Sequence, residues 1–372
     1  MAPLTPLRPL APLAPRLLRQ LLLPLLLLLL LLSSPLCVHG SSIAEDIADM
    51  QNAGVDLNKP NEQGVTMLIA AARNGNVEVV QALTRLKSVK KDLKETLSLQ
   101  TALVAAVKAG HPEIAQILVA ANADVNAVDK DGQTALMSAC SAGYTALAEQ
   151  LISKGAVLKL VDKEGFNALT LAASGGHFGC VQALIKAGIN LDMRVKHSGF
   201  TALAFAAAAT KTEIVKALVD AGASVNKIDS QGVPPIFHLS RNGQAESVSL
   251  LIRHGADVNI ASRRLGETPL TGACISGSLP TVMALLEAGA NVNHQERDSG
   301  LSPLMIAAAR GHDDIVFALL DYGADRKQRR PDGKATAKDA ALKNNHEKLA
   351  EKMESYVPPK LKKGRPPVAI SK

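Results

Sequence analysis

The sequence is organised around a glycine that recurs every 33 or 34 residues, and this period constrains the fold more than any other feature. The marker glycines are Gly132, Gly165, Gly199, Gly232, Gly266, Gly300 and Gly333, and Gly64 lies 68 residues before the first of them, which leaves room for one more unit. A period of about 20 to 50 residues is typical of chains that bury their apolar faces by stacking similar modules. The pattern therefore predicts a stack of about eight units whose open surface suits binding better than turnover.

Each unit carries the sequence signals of two short helices. The hydroxyl of Thr134 can cap a first helix, and Gly143 stands where a left-handed residue ends one. Apolar residues at helical spacing follow, as at Ile214 and Leu218 in a later unit. Residues 162–165 then have the composition of a turn. The repeats are therefore predicted to be helix pairs joined by loops.

Charge is concentrated at the two ends of the chain. Residues 1–40 carry three Arg and no acid, residues 41–323 carry 24 basic and 28 acidic side chains, and residues 324–372 carry 14 basic and six acidic ones. These segments contribute +3, −4 and +8 to the net charge of +7. Because the repeats themselves are slightly acidic, the composition excludes a uniformly basic protein that coats nucleic acid.

The first 40 residues have the order of a secretory signal peptide. Basic residues precede the apolar run 21–32, and Val38 and Gly40 supply small side chains before an expected cleavage after Gly40. A run of 12 residues is short for a bilayer, which needs about 20, so cleavage is favoured over anchoring. The predicted location is the secretory pathway or the exterior. An organelle lumen reached by a transit peptide, or tethering by an uncleaved leader, remains an alternative.

The units resemble ankyrin repeats, a family with a 33-residue period and a Thr-Pro-Leu-His-x-Ala signature. The matching segments are Thr268-Pro269-Leu270, Ser302-Pro303-Leu304, Gly110-His111, Gly311-His312 and Gly255-Ala256-Asp257-Val258-Asn259. The resemblance covers residues 43–357. It implies an all-α repeat solenoid, in which helix pairs with β-hairpin fingers form a curved stack and the fingers and inner helices form the binding face.

The domain scheme follows from this resemblance. Residues 1–40 form the targeting segment, 41–63 a capping half-repeat, 64–333 about eight repeats, 334–356 the C-terminal capping helices and 357–372 a disordered basic tail.

The sequence departs from the repeat pattern at three positions. A Lys-rich stretch, 86–99, replaces the first finger sequence, which predicts a reshaped loop. Thr210-Lys211 replaces a Gly-His pair, and Pro234-Pro235 removes a hydroxyl cap. We expect these junctions to be locally weaker.

The sequence contains none of the common catalytic or phosphate-binding motifs, so we predict neither enzyme activity nor a cofactor. His111, His177 and His312 occupy one slot in different repeats, too far apart to share a metal ion. They are interpreted as side chains that brace the turn by a hydrogen bond, as the resemblance implies.

The cysteines of the repeats are Cys140, Cys180 and Cys274. They fall in apolar slots of the helices and are interpreted as small buried side chains. Four repeats separate Cys140 from Cys274, which excludes a disulfide between those two.

Candidate partner-binding residues lie on the loops. Phe166 and Phe200 follow marker glycines in adjacent repeats, and Lys163, Lys196 and His197 frame them. The two rings either form an exposed apolar step or fold down over the neighbouring helix. The full predicted partner-binding set is Lys130, Lys163, Phe166, His197, Phe200, Arg263 and Arg264.

A second set of candidates is cationic. Arg326, Lys327, Arg329 and Arg330 lie near the end of the repeats, and Lys363 and Arg365 lie in the tail, where Lys-Gly-Arg-Pro weakly resembles the core of AT-hook peptides. An acidic partner or anionic surface would suit these groups, although charges of this kind usually form a solvated rim.

Together these features predict a non-enzymatic protein-interaction scaffold that is monomeric and binds another protein on its finger and inner-helix face. The alternative is a nucleic-acid or anionic-surface binder that uses the basic tail. A secretory leader argues against the DNA-binding form of that alternative.

Overall fold

The computed structural model describes residues 42–333 and 335–358, in which the chain forms 19 helices joined by turns. Helix α1 spans Ile43–Asn52 and precedes nine helix pairs. The first helices of the pairs are α2 (Met67–Arg73), α4 (Ala102–Lys108), α6 (Ala135–Ala142), α8 (Ala168–Gly175), α10 (Ala202–Ala208), α12 (Pro235–Arg241), α14 (Pro269–Ser276), α16 (Pro303–Arg310) and α18 (Ala337–Lys343). The second helices are α3 (Val77–Arg85), α5 (Pro112–Ala120), α7 (Thr145–Ser153), α9 (Phe178–Lys186), α11 (Thr212–Asp220), α13 (Ala245–Arg253), α15 (Leu279–Glu287), α17 (Asp313–Asp321) and α19 (Glu347–Ser355). The predicted leader, 1–40, and the tail candidates Lys363 and Arg365 lie outside the described residues.

The chain divides into two compact units. Unit 1 contains the residues up to Ala139 together with Ser153–Ala156, and unit 2 contains Cys140–Ile152 and the residues from Val157 onward. In unit 1, α2 packs against α4, and α3 packs against α1 and α5. In unit 2, the first helices from α8 to α18 pack one on the next, as do the second helices from α9 to α19. Each unit therefore builds its core by stacking helix pairs.

The cores are made of small and branched aliphatic side chains. Ala206 and Ala207 of α10 are fully buried, as are Val215 and Leu218 of α11. Burial of each larger aliphatic side chain contributes roughly 1.5 to 3 kcal/mol, and the alanines let neighbouring helices approach closely.

Most first helices begin at a side-chain cap. The hydroxyl of Thr134 accepts a hydrogen bond from the N–H of Met137 at 3.2 Å, and Thr268 caps Thr271 in the same way. At the start of α12, Pro234 makes no side-chain cap. The cap predicted at Thr134 and the cap predicted to be lost at Pro234 are therefore confirmed.

The loops before α6, α8 and α12 are tight turns built around one aspartate. Oδ1 of Asp162 accepts hydrogen bonds from the N–H groups of Glu164 at 3.1 Å and Phe166 at 2.8 Å, and Asp129 and Asp229 make the same two bonds. These side chains accept hydrogen bonds from backbone N–H groups that would otherwise be available to pair two strands. Within residues 42–333 and 335–358 no strand forms, and the predicted β-hairpin fingers are not confirmed.

Neighbouring loops of unit 2 are joined by single backbone hydrogen bonds. The N–H groups of Lys196, Ser230, Arg263 and Arg297 donate to the carbonyl oxygens of Glu164, Ser198, Gln231 and Leu265 at 2.8 to 3.1 Å. One bond for each junction aligns the loops without making a sheet.

A histidine braces the turn between helices, as the sequence predicts. Nε2 of His177 lies 2.9 Å from the carbonyl oxygen of Ser141, at the end of α6 in the preceding repeat. The ring covers Gly143, whose φ is +78°, and a Cβ added there would lie 2.5 Å from Nδ1 of His177. His111 and His312 cover Gly75 and Gly277 in the same way.

Among the helices of the described ranges, none combines the length and the apolar character that crossing a bilayer requires.

Candidate partner-binding surface

The most distinctive surface of unit 2 is a cluster of four aromatic rings, which we call the aromatic patch: Phe166, Phe200, Phe205 and His238. The Phe205 ring lies 5.7 Å from that of Phe166 and 5.0 Å from that of Phe200, measured between centroids. The Phe200 ring lies 5.3 Å from that of His238. These separations and tilted orientations are those of favourable aromatic pairs. The chain has six Phe in 372 residues, so three of them in one cluster form a distinct feature.

The loops and first helices position the patch together. Phe166 and Phe200 close the turns before α8 and α10, where their carbonyl oxygens accept hydrogen bonds from Asp162 and Val195 at 2.9 and 3.0 Å. Phe205 lies on α10, and His238 lies on α12. The patch therefore spans the loop row and the first-helix row of three consecutive repeats.

All four rings are half-buried. The two sequence interpretations were an exposed apolar step and rings folded down onto the helix. Phe166 and Phe200 lean on Phe205, yet none of these rings is sealed from solvent. A half-buried aromatic group has a fixed orientation and still offers apolar area, a combination typical of interface anchors.

Cationic side chains frame the patch. Lys163 and Lys196 are exposed, and Nζ of Lys196 donates to the carbonyl oxygen of Lys163 at 2.7 Å. His197 is 86% exposed at its side chain and lies 3.7 Å from Glu164. Nε of Arg194 donates to the carbonyl oxygen of Gly199 at 3.1 Å. The exposed charges of the rim are therefore three cations and one carboxylate, while the carboxylates of Asp162 and Asp229 are buried.

His238 is held neutral by its surroundings. Burial lowers the pKa of its imidazole and Arg241 adds to that effect, whereas Asp229 acts in the opposite direction. Nε2 lies 3.8 Å from Oδ2 of Asp229 and has no hydrogen-bond partner among the described residues. The patch thus presents an uncharged face at neutral pH.

The other predicted partner-binding residues lie on other loops. Arg263 and Arg264 are exposed on the loop before α14, and the carbonyl oxygen of Arg263 accepts a hydrogen bond from Arg297 at 2.7 Å. Lys130 is exposed in unit 1, where its N–H donates to the carbonyl oxygen of Ser98 at 2.9 Å. A role of Lys130, Arg263 and Arg264 in partner binding stays a prediction.

The arginines of the 326–330 segment donate hydrogen bonds to backbone carbonyl oxygens. Arg326 donates to the carbonyl oxygens of Met353 at 3.0 Å and Tyr356 at 2.9 Å, which caps the end of α19. Arg329 and Arg330 also donate to backbone carbonyl oxygens, at 2.9 and 3.0 Å. Lys327, the fourth predicted anion-binding residue of this segment, is exposed. Arg326 therefore stabilises the end of α19, and anion binding by the four cations stays a prediction.

The sequence analysis missed Phe205 and His238. They lie 33 residues apart and occupy the same helical slot of successive repeats, just as Phe166 and Phe200 share a loop slot 34 residues apart. Reading each slot down the repeats would have identified both pairs, because aromatic residues are rare in the other repeats.

A cavity of unit 1 and the distribution of metal-binding side chains bear on small-ligand binding. In residues 42–333 and 335–358, no three His, Cys, Asp or Glu side chains converge as metal ligands do. A cavity of about 200 Å³ in unit 1 is lined by residues that include Val55, Leu57 and Met67. It is smaller than the roughly 300 to 1,000 Å³ typical of ligand pockets.

Comparison with known proteins identifies the family. The family model for ankyrin repeats in three copies matches residues 36–129, 85–162, 121–195, 158–229, 189–262, 206–296 and 236–330. No curated protein matches the chain. The matched stretches overlap from residue 36 to residue 330, across nearly all of the helix pairs. The chain therefore belongs to the ankyrin repeat family.

Proposed function

We propose that this protein is a protein-interaction scaffold that binds its partner at the aromatic patch and its cationic rim. Ankyrin repeats are generally protein-interaction modules and are typically not enzymes. The observation that carries the proposal is the half-burial of four rings on the loop and first-helix rows.

The energetics favour the patch as an anchor. Phe166 and Phe200 are already ordered against Phe205, so a partner that covers them loses little side-chain entropy on binding. Apolar area buried on binding contributes about 25 cal/mol per Å². Preordered aromatic groups of this kind are the residues whose truncation most often costs 2 kcal/mol or more of binding free energy, roughly 30-fold in Kd.

The rim indicates the chemistry of the partner segment. Among the exposed charges around the rings, Lys163, Arg194 and Lys196 outnumber Glu164, which favours an apolar segment flanked by carboxylates. Exposed rim charges mainly raise the association rate, and salt screens them over about 10 Å at 0.1 M. We therefore expect partner association to slow as the salt concentration rises.

Site-specific photo-crosslinking tests the proposal. A photo-reactive amino acid at His197, exposed beside Phe200, should give a discrete adduct with a partner in extracts of the source cells. The same group at Glu213, exposed on α11, should not. An equal yield at both positions would contradict the proposed surface.

A matched pair of variants separates binding from stability. Phe166→Ser with Phe200→Ser should abolish the His197 adduct, whereas Phe178→Ser, at another half-buried Phe of unit 2, should retain it. The sequence alone predicts a nearly unchanged Tm for the double variant. Because both rings contact Phe205, we now expect each truncation to cost about 1 to 2 kcal/mol of unfolding free energy. Retention of the adduct in the double variant would exclude the patch.

The basic tail supplies the alternative function. Lys363 and Arg365 fall in a segment where basic residues dominate, and such a segment would bind nucleic acid or another anionic surface. Salt-sensitive DNA binding that disappears when residues 358–372 are deleted would support this alternative.

We also propose that the chain enters the secretory pathway through its first 40 residues. The order of basic, apolar and small residues there supports cleavage after Gly40. N-terminal sequencing of the mature protein should begin at Ser41, whereas a retained Met1 would indicate an anchor.

A further inference from the structure

Two thiols meet where the end of α6 lies against the start of α9. Cys140 lies on α6 and Cys180 on α9, and each thiol is the neighbour that most strongly shifts the pKa of the other. The Cys180 sulfur also lies 3.7 Å from Oγ1 of Thr145. This pair is different from Cys140 and Cys274, between which the sequence excludes a disulfide.

Contacts on both sides of the two thiols fix their approach. One residue after Cys140, the carbonyl oxygen of Ser141 is bonded to His177, three residues before Cys180, at 2.9 Å. A Cβ added to Gly179 would lie only 2.5 Å from Oγ1 of Thr145. The backbone of α9 therefore lies directly against the end of the preceding helix pair at the position of the two sulfurs.

We propose that Cys140 and Cys180 are a redox site, in which an oxidising thiol–disulfide partner converts the two thiols into a disulfide that links α6 to α9. The proposal is independent of the partner surface described above.

The two thiols differ in acidity, which sets the order of the steps. The hydrogen bond from Cys140 lowers the pKa of Cys180 to about 7, with a smaller contribution from Thr145, while burial opposes the shift. The same hydrogen bond raises the pKa of Cys140, and burial adds to that effect. Cys180 is therefore the thiol that ionises first and acts as the attacking nucleophile.

The reaction is an exchange with a small disulfide of the glutathione class. The Cys180 thiolate attacks one sulfur of the reagent, the reagent S–S bond breaks, and one reagent thiolate leaves with the electron pair of that bond. The deprotonated thiol of Cys140 then attacks the Cys180 sulfur of this mixed disulfide and displaces the second reagent thiolate. The two protons lost by the cysteines protonate the two released thiolates, so the protein is oxidised and the reagent disulfide is reduced to two thiols.

Burial of both sulfurs controls access. Cys140 and Cys180 have no exposed surface, so the reagent reaches them only when this junction opens locally. Cys274 is equally buried and has no thiol partner among the described residues, and burial raises its pKa well above the ordinary range. Oxidation should therefore select the pair and spare Cys274.

Thiol counting on the folded chain with Cys37→Ser, which removes the cysteine of the first 40 residues, tests the proposal. After prolonged incubation with excess glutathione disulfide, acid quenching and alkylation in denaturant, we expect a loss of about 2 Da before alkylation. Tryptic mapping should give one peptide that joins the segments containing Cys140 and Cys180 and that disappears on reduction. The oxidised protein should also melt several degrees higher, because the link closes a loop in the unfolded chain.

Two variants provide the controls. Cys274→Ser should form the same linked peptide, and Cys180→Ser should not. The proposal is overturned if the Cys37→Ser protein keeps alkylatable thiols at Cys140 and Cys180 after the incubation. It is also overturned if glutathione accumulates on Cys180 without forming the linked peptide.

Discussion

The contact between His177 and Gly143 predicts a stability cost that can be isolated by a matched substitution. Gly143 and Gly188 have nearly the same backbone conformation, with φ of +78° and +77°. A Cβ at Gly143 would lie 2.5 Å from the ring of His177, whereas a Cβ at Gly188 would meet nothing within 4 Å. Gly143→Ala and Gly188→Ala therefore share the backbone strain and differ in the contact with the histidine.

The magnitudes follow from these geometries. A left-handed Ala costs about 1 to 2 kcal/mol, and the stiffer unfolded chain offsets about 0.4 to 1 kcal/mol of it. Gly188→Ala should therefore cost about 1 kcal/mol. At Gly143 the displaced ring also loses its 2.9 Å hydrogen bond to Ser141, about 1 kcal/mol, together with some packing. We expect Gly143→Ala to cost about 2 to 3 kcal/mol in total.

Equilibrium urea unfolding of both single variants, with His177→Ala and the Gly143→Ala/His177→Ala double variant, measures the difference. In the His177→Ala background the excess cost of Gly143→Ala should vanish, which gives a coupling energy of about 1 to 2 kcal/mol. Equal costs for Gly143→Ala and Gly188→Ala, or an excess that persists without the histidine, would refute the reasoning.

Two further predictions concern other parts of unit 2. The pKa of His238 is lower in the folded protein than in the unfolded chain, where it is about 6.5. Below that pH the unfolded chain binds a proton at His238 more readily than the folded protein does. The free energy of unfolding should therefore fall as the pH drops below about 6.5. His238→Gln should flatten this part of the curve of Tm against pH between about 7.5 and 5, and an unchanged slope would contradict the prediction. Arg326→Ala removes the hydrogen bonds to Met353 and Tyr356, so amide exchange in α19 should accelerate about tenfold or more. Lys327→Ala, at an exposed neighbour, should leave exchange in α19 unchanged, and equal effects of the two variants would count against capping by Arg326.

Much of the fold could be predicted because its determinants are local. A left-handed glycine such as Gly143 and a capping hydroxyl such as Thr134 fix the ends of a helix within a few residues. Their recurrence then specifies the helix pairs. The loss of the cap at Pro234 could be predicted for the same reason.

The loops were harder to predict because two backbone arrangements compete for the same amides. The family resemblance implies β-hairpins. In the structure the carboxylate of Asp162 accepts hydrogen bonds from the N–H groups of Glu164 and Phe166, and the chain makes a tight turn there. A sequence shows that an aspartate is present without showing which amides it will accept.

The candidate site could be predicted only in part. Phe166 and Phe200 stand out in the sequence, but their half-burial depends on Phe205, which comes from a different slot of the repeat. The capping contacts of Arg326 could not be predicted for a similar reason, since its guanidinium reaches carbonyl oxygens 27 and 30 residues further along the chain. Cys140 and Cys180 also occupy different slots, so comparison of equivalent positions does not pair them.

Because a histidine of one repeat packs on a glycine of the preceding repeat, the repeats of this chain are not freely interchangeable. The sequence of one repeat is complete only together with a residue of its neighbour, as His177 and Gly143 show. When a repeat is deleted, duplicated or transplanted, each histidine must therefore still lie against a glycine of the preceding repeat. In the fifth repeat Lys211 takes the place of the histidine, and its side chain covers Gly176 of the preceding repeat. At this junction it is Lys211 and Gly176 that must be kept together.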